Sequence, residues 1–242
     1  MPSIHSTGSI LRRFYGVIQM EARRVQRLIE GGSVCLLALL WGGFAGATGN
    51  YYLKPHLGIS MVQDNDFGQT GIAAPGAVGD GEYDNGWSAG LGVGYRYGNG
   101  WSAEIDWEYR TNDNDSLRFS DSTFFGEGNI ASNIIYLNGY YHVELQDTRF
   151  RPFIGAGLGW VEEIDLDLES GGSERSYSGD GEMAWQVMAG VETEFAKDWR
   201  VQGELRYSQV SNVDLAEEGG SGRINGLDYG AWSVGVGLIY DF

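Results

Sequence analysis

Every second residue of the closing segment is large and apolar: Trp232, Val234, Val236, Leu238, Tyr240 and Phe242. The residues between them, Ala231, Ser233, Gly235, Gly237, Ile239 and Asp241, are small or polar with one exception. A period of two places these sets on opposite faces of an extended chain, so the segment is a strand with two different environments. The same alternation sets Trp101, Ala103, Ile105, Trp107 and Tyr109 against Ser102, Glu104, Asp106, Glu108 and Arg110. It sets Trp87, Leu91, Val93, Tyr95 and Tyr97 against Ser88, three glycines and Arg96. Trp185, Val187, Ala189, Val191 and Phe195 oppose Gln186, Glu192 and Glu194, and Trp199, Val201, Leu205 and Tyr207 oppose Arg200, Gln202, Glu204 and Arg206.

Less regular strands are expected near 51–62, 129–145 and 150–164, which brings the count to eight. Short turns at Gly98-Asn99-Gly100, Gln146-Asp147-Thr148-Arg149 and Ala196-Lys197-Asp198 alternate with long polar segments near 63–84, 111–128, 165–181 and 213–226. An even number of strands with alternating connection lengths describes an up-and-down antiparallel β-barrel.

Periodicity does not say which face is outside, because a ligand-carrying soluble barrel has the apolar face inward. The aromatic placement favours a membrane barrel, since Trp and Tyr bound an otherwise aliphatic face at both ends, as at two membrane interfaces. Composition agrees: 39 Gly, 4 Pro and 13% aromatics suit strands and girdles better than helices. The expected girdle is Trp87, Trp101, Trp107, Trp160, Trp185, Trp199 and Trp232.

Ahead of the strands, Arg23, Arg24 and Arg27 precede the apolar run 33–41, which ends in small residues at Ala45-Gly46-Ala47. This order reads as a cleavable signal peptide over 1–47, with a barrel domain over 48–242. The long n-region points to Met20 as an alternative start. Cys35, the only cysteine, opens the apolar run instead of ending it, which argues against a lipoprotein. Residues 48–242 hold 11 Lys and Arg against 31 Asp and Glu, a formal charge of −20. So acidic a chain is a poor nucleic-acid binder, and without cysteine it has no disulfide or thiolate metal site.

Three segments carry a family likeness: Tyr51-Tyr-Leu-Lys-Pro-His-Leu-Gly-Ile-Ser60, Arg151-Pro-Phe-Ile-Gly-Ala-Gly-Leu-Gly-Trp160 and Ser233-Val-Gly-Val-Gly-Leu-Ile-Tyr-Asp-Phe242. Through them residues 48–242 resemble the small outer-membrane barrels of the OmpA transmembrane domain, OmpX and opacity-protein type. The resemblance implies an eight-stranded transmembrane barrel in the bacterial outer membrane, in contact with lipid and lipopolysaccharide. It also implies that the assembly machinery of that membrane reads Leu238, Tyr240 and Phe242.

Residues on the polar faces invite functional readings, each with a structural counterpart. Arg96, Glu104, Asp106, Glu108, Arg110, Glu192, Glu194, Arg200, Glu204 and Arg206 form either a narrow pore or an interlocked ion-pair plug. A barrel of eight strands has room for little besides side chains, and buried charges must pair, so the plug is the reading adopted. Gly90, Gly92 and Gly94, like Gly155, Gly157 and Gly159, share one strand face and read as wall glycines instead of a phosphate loop. Tyr207-Ser-Gln-Val-Ser-Asn212 resembles the His-x-Ser-Asn motif of lipid A deacylases, but Gln209 stands where the base should be and cannot accept the serine proton. His56 and His142, the histidines after position 48, are expected on other strands pointing inward.

The acidic residues Asp64, Asp66, Asp80, Glu82, Asp84, Asp165, Asp167, Glu169, Asp180 and Glu182 lack EF-hand spacing and read as solvated loops instead of a Ca²⁺ site. The expectation is a surface protein without catalytic residues, cofactor or metal, serving envelope integrity or adhesion through external loops that bind any extracellular ligand. A low-conductance porin is the second reading and lipid modification the third.

Overall fold

The computed structural model describes residues 50–146, 148–170 and 173–242. The expected signal peptide over 1–47, with Met20 and Cys35, lies outside the described residues, as does Asp147 of the second turn. Among the described residues there are twelve strands: β1 (Tyr51–Val62), β2 (Asn65–Thr70), β3 (Val78–Tyr83), β4 (Asn85–Arg96), β5 (Trp101–Phe119), β6 (Phe124–Phe125), β7 (Glu127–His142), β8 (Phe150–Ser170), β9 (Ser173–Gly179), β10 (Met183–Ala196), β11 (Trp199–Glu217) and β12 (Arg223–Asp241).

Eight of them close into an antiparallel ring. β1 pairs with β4, β4 with β5, β5 with β7, β7 with β8, β8 with β10, β10 with β11 and β11 with β12. β12 then returns to β1, from Tyr52 opposite Asp241 to Val62 opposite Ala231, so neither end of the sheet keeps a free edge. In hydrocarbon an unpaired backbone group costs several kcal/mol, and closure removes that cost at both edges. The turns at 98–100 and 196–198 are tight, and Asp198 adopts a positive φ of 62° in the second of them.

The four long polar segments differ from the sequence expectation of solvated loops. They are largely strand, and they build a second ring on the first. β5, β7, β8, β11 and β12 run on past the first ring, while β1, β4 and β10 end. Their places are taken by β2, β3 and β9: β12 pairs with β2, β2 with β3, β3 with β5, β8 with β9 and β9 with β11. Eight strands therefore surround this upper tier too. The physical reason is a buried face that the carboxylates mask in the sequence. Ile164, Leu166 and Leu168 point inward from β8, and Val213 and Leu215 from β11, all with essentially no exposure. With Phe67, Leu117, Phe119, Ile130, Tyr177, Ile224 and Leu227 they form one apolar core. From Tyr109 to Phe119, ten residues at about 3.3 Å each and a tilt of about 40° carry the upper tier about 25 Å past the lower one.

Candidate functional site

The lower ring is inverted relative to a soluble barrel. Leu57, Ile59, Ile105, Leu137, Ile154, Leu158, Val187, Leu205, Val234, Val236 and Leu238 are exposed on the outer face. Lys54, Glu104, Asp106, Glu108, Arg110, Glu192 and Arg206 are buried inside. Soluble monomers rarely expose a continuous apolar belt, whereas a lipid-facing barrel must.

Seven tryptophans stand on this belt, each between 38% and 52% exposed. Trp101 and Trp199 lie at the turn end, packed on Tyr141 and Tyr240 at 5.0 and 4.8 Å between ring centres. Trp87, Trp185 and Trp232 lie at the other end, packed on Tyr109 and Tyr207. Trp107 and Trp160 flank Ile135 at that level. Phe242 packs on Tyr240 at 5.1 Å, and Leu238 is exposed on the same face.

The interior fills in layers from the turn end upward. In the first layer Arg96 reaches Glu192 at 3.0 Å and Asp241 at 3.3 Å, and Arg200 reaches the same two carboxylates at 3.5 and 3.3 Å. His142 lies 3.5 Å from Glu192. In the second, Glu104 receives the Lys54 ammonium at 2.8 Å and the Tyr140 hydroxyl at 2.8 Å, and Gln186 donates to Asn138 at 2.7 Å. In the third, Arg206 bridges Asp106, Glu108 and Glu204. Arg110 donates to Glu108 at 2.6 Å and to Ser208 at 2.8 Å, and His56 meets Asp106 at 2.9 Å. Above this, Ser60 donates to Asn112, and Ser132 meets the Tyr229 hydroxyl. The apolar core of the upper tier begins here.

Nine of the ten charged residues expected in the lumen are therefore brought together. Glu194 is the exception. It is exposed at the turn end, opposite Arg200 in the last pair before β10 bulges toward Ala196. Lys54, Tyr140 and Asp241 belong to the network but were not singled out from the sequence. Lys54 shares its strand face with Tyr52 and His56, and that alternation was the available signal.

The glycine runs make the layers fit. A Cβ on Gly92 would sit 2.7 Å from the Glu104 carboxyl, and one on Gly157 would sit 2.0 Å from the Asn138 amide oxygen. Small residues on one strand leave the volume that large polar residues on its neighbour occupy. Gln209 accepts a hydrogen bond from the Tyr207 hydroxyl at 2.7 Å, so the residue standing in for a catalytic base is engaged elsewhere. Among the described residues no group of three metal-ligating side chains converges.

The family described as the outer membrane protein beta-barrel domain matches residues 33–242. The chain belongs to that family. Among solved structures, this outer-membrane barrel is similar to the outer membrane protein OprG from Pseudomonas aeruginosa, with a TM-score of 0.59 at 12% identity, over 81% of this chain and 99% of that one. It is also similar to Neisserial surface protein A, with a TM-score of 0.49 at 16% identity, over 79% of this chain and 97% of that one. Ail, the attachment invasion locus protein of Yersinia pestis, aligns with a TM-score of 0.40 at 12% identity, over 79% of this chain and 99% of that one. No curated protein matches the sequence. An outer-membrane barrel of this family resides in the bacterial outer membrane, which agrees with the apolar belt.

Proposed function

We propose that the chain is a sealed surface barrel of the outer membrane, serving envelope integrity or adhesion through its projecting upper tier. The observation that carries this reading is the double filling of the interior. Five cations and six carboxylates interlock across the lower ring, and an apolar core closes the upper one. A solute would have to break paired buried charges, at several kcal/mol each, and then open a packed hydrocarbon interior.

In this reading the short turns face the periplasm and the upper tier faces the medium, in contact with lipopolysaccharide. Over residues 63–84, 111–128, 161–182 and 211–230 the upper tier carries 21 Asp and Glu against Arg118, Arg175 and Arg223. Such a surface favours a cationic extracellular ligand. The exposed Trp and Tyr residues anchor the barrel at the two interfaces, and Leu238, Tyr240 and Phe242 present the terminal strand to the assembly machinery. Deleting Phe242 should lower the folded, membrane-inserted fraction in cells; unchanged insertion would remove that role.

Planar-bilayer recording on the purified chain, after heat-dependent gel mobility has shown that it is folded, tests the sealed state. Current indistinguishable from a protein-free bilayer is expected. Discrete conductance steps would replace the sealed barrel with a low-conductance porin.

A further inference from the structure

Thirteen consecutive residues of the upper tier, 67–79, carry no charge, although the tier as a whole is strongly acidic. They form the end of β2, the start of β3 and the hairpin tip between them, Gly71-Ile-Ala-Ala-Pro-Gly-Ala-Val78. The neighbouring β5–β6 turn is Ser-Asp-Ser-Thr over 120–123, and the β11–β12 turn is Glu-Gly-Gly-Ser-Gly over 218–222. Ile72 and Ala73 pack on the apolar core, while Ala74, Pro75 and Val78 stay exposed.

Hydrogen bonds fix this tip. The Gln69 amide oxygen accepts from the Ile72 and Ala73 N–H groups at 3.1 and 3.0 Å, and its NH2 donates to the Ala74 carbonyl at 2.9 Å. The β5–β6 turn braces it from the side: Asp121 accepts from the Ala74 N–H at 2.7 Å, and the Ser120 hydroxyl accepts from the Val78 N–H at 3.1 Å. A loop held this firmly has little freedom left to lose on binding.

A second apolar residue stands close by. Phe124 on β6 is 51% exposed and Val78 50%, and they are the two large apolar side chains left exposed among the described residues of the upper tier. Both lie on one sheet face, on either side of β5. Asp80 stands opposite Arg118 and Arg118 opposite Phe124, with the guanidinium 5.9 Å from the ring centre. An apolar spot on an otherwise polar wall marks an interaction surface. Its border is acidic. Asp66 stands directly opposite Asp80, a like-charge arrangement that costs stability, and the exposed Arg118 reaches Glu82 at 4.0 Å. Three carboxylates share one arginine there, so the electrostatic complement of this border is cationic.

We propose that this face of β3, β5 and β6 docks a cationic polypeptide through an apolar side of that partner. Val78, Phe124 and the braced tip at Ala74 and Pro75 meet its apolar residues, and Asp66, Asp80 and Glu82 meet the flanking Lys or Arg. The proposal rests on the reading of the upper tier as the adhesive part of the barrel, and it names the chemistry that part would hold.

The test uses the full chain in phosphatidylcholine nanodiscs, with empty discs as the reference. Two short fluorescent peptides of equal charge are titrated, one of Leu and Lys at helical spacing and one with Ser in place of Leu. The Leu/Lys peptide should bind about tenfold more tightly, as when apolar anchors are buried at an interface. In Val78→Ser/Phe124→Ser, checked for folding by gel mobility, that preference should vanish while the Lys/Ser affinity stays unchanged. Phe124→Ser alone, which leaves β3 intact, should lose part of it. Asp80→Asn/Glu82→Gln should weaken both peptides. Equal binding of the two peptides by the unsubstituted chain overturns the docking face and leaves the cationic preference of the tier standing; binding of neither removes both. A preference that survives the double serine substitution also overturns the proposal, because the contact would then lie elsewhere on the barrel.

Discussion

Arg206 offers the sharpest test of the filled interior. Its guanidinium meets Asp106 at 3.3 Å and Glu204 at 2.9 Å and also binds Glu108, and it is 3% exposed. Replacing it with methionine keeps most of the side-chain volume and removes the charge. Hydrogen bonds to charged groups contribute about 1.5–3 kcal/mol each, which would suggest a loss beyond 5 kcal/mol for three contacts. Each carboxylate keeps another partner, however: His56 stays on Asp106, Arg110 on Glu108 and the Gln202 amide on Glu204, the last too weak to replace a cation. The expected cost is therefore that of one broken buried pair, about 3–5 kcal/mol. Urea unfolding in lipid vesicles, followed by the fluorescence of the belt tryptophans, measures it. Arg206→Lys should recover less than half, because one ammonium does not reach three carboxylates with the geometry of a planar fork. A loss below about 1 kcal/mol for Arg206→Met would refute the claim that these charges hold the lower ring together.

Further perturbations address the other parts of the molecule. Val236→Arg places a charge in the middle of the outer belt, midway between Trp232 and Tyr240 on β12, where Val236 is 53% exposed; a cost of about 2–4 kcal/mol is expected in vesicles, and a neutral result would mean that this face does not meet hydrocarbon. Leu166→Ala empties part of the upper core, for about 2–5 kcal/mol, and should speed trypsin cleavage at Arg175 while leaving the lower ring heat-modifiable on gels. Asp121 accepts backbone hydrogen bonds from Ala74 at 2.7 Å and Thr123 at 2.9 Å, and these, Ala74 first, hold its carboxyl below the usual range. A depressed folded-state pKa stabilises above the unfolded carboxylate value and ceases to do so as pH falls through the folded one. Amide-exchange protection of Ala74 and Thr123 should therefore disappear on acidification below the ordinary carboxylate range, and in Asp121→Asn it should already be weak at neutral pH.

The lower ring was legible in the sequence because its two faces differ as strongly as side chains can. Trp101, Ile105 and Trp107 against Glu104, Asp106 and Glu108 leave no other periodic reading. The upper tier was hidden because its outer face is polar and acidic like an ordinary loop. Its signal was the inner face alone: Ile164, Leu166 and Leu168, then Val213 and Leu215, alternate between carboxylates. The same ambiguity affected Glu194, whose position in the alternation is inward but which sits at the open, exposed end of the ring. Period two fixes the direction of a side chain and says nothing of where the wall stops. The shift in register between Asn133 and Ile134 on β7 is likewise invisible to periodicity, since both residues end up buried.

The handover between tiers has an engineering consequence. Five strands pass uninterrupted through both rings, whereas the β2–β3 hairpin joins only the upper one and reaches it through connections after Val62 and before Asn85. A foreign epitope spliced into the tip of that hairpin, around Pro75 and Gly76, would ride on the upper tier without cutting any of the through-running staves. The positive φ at Gly71 and Gly76 marks where the chain already reverses. The molecule thus offers a display platform whose cargo site is mechanically separate from the part that anchors it.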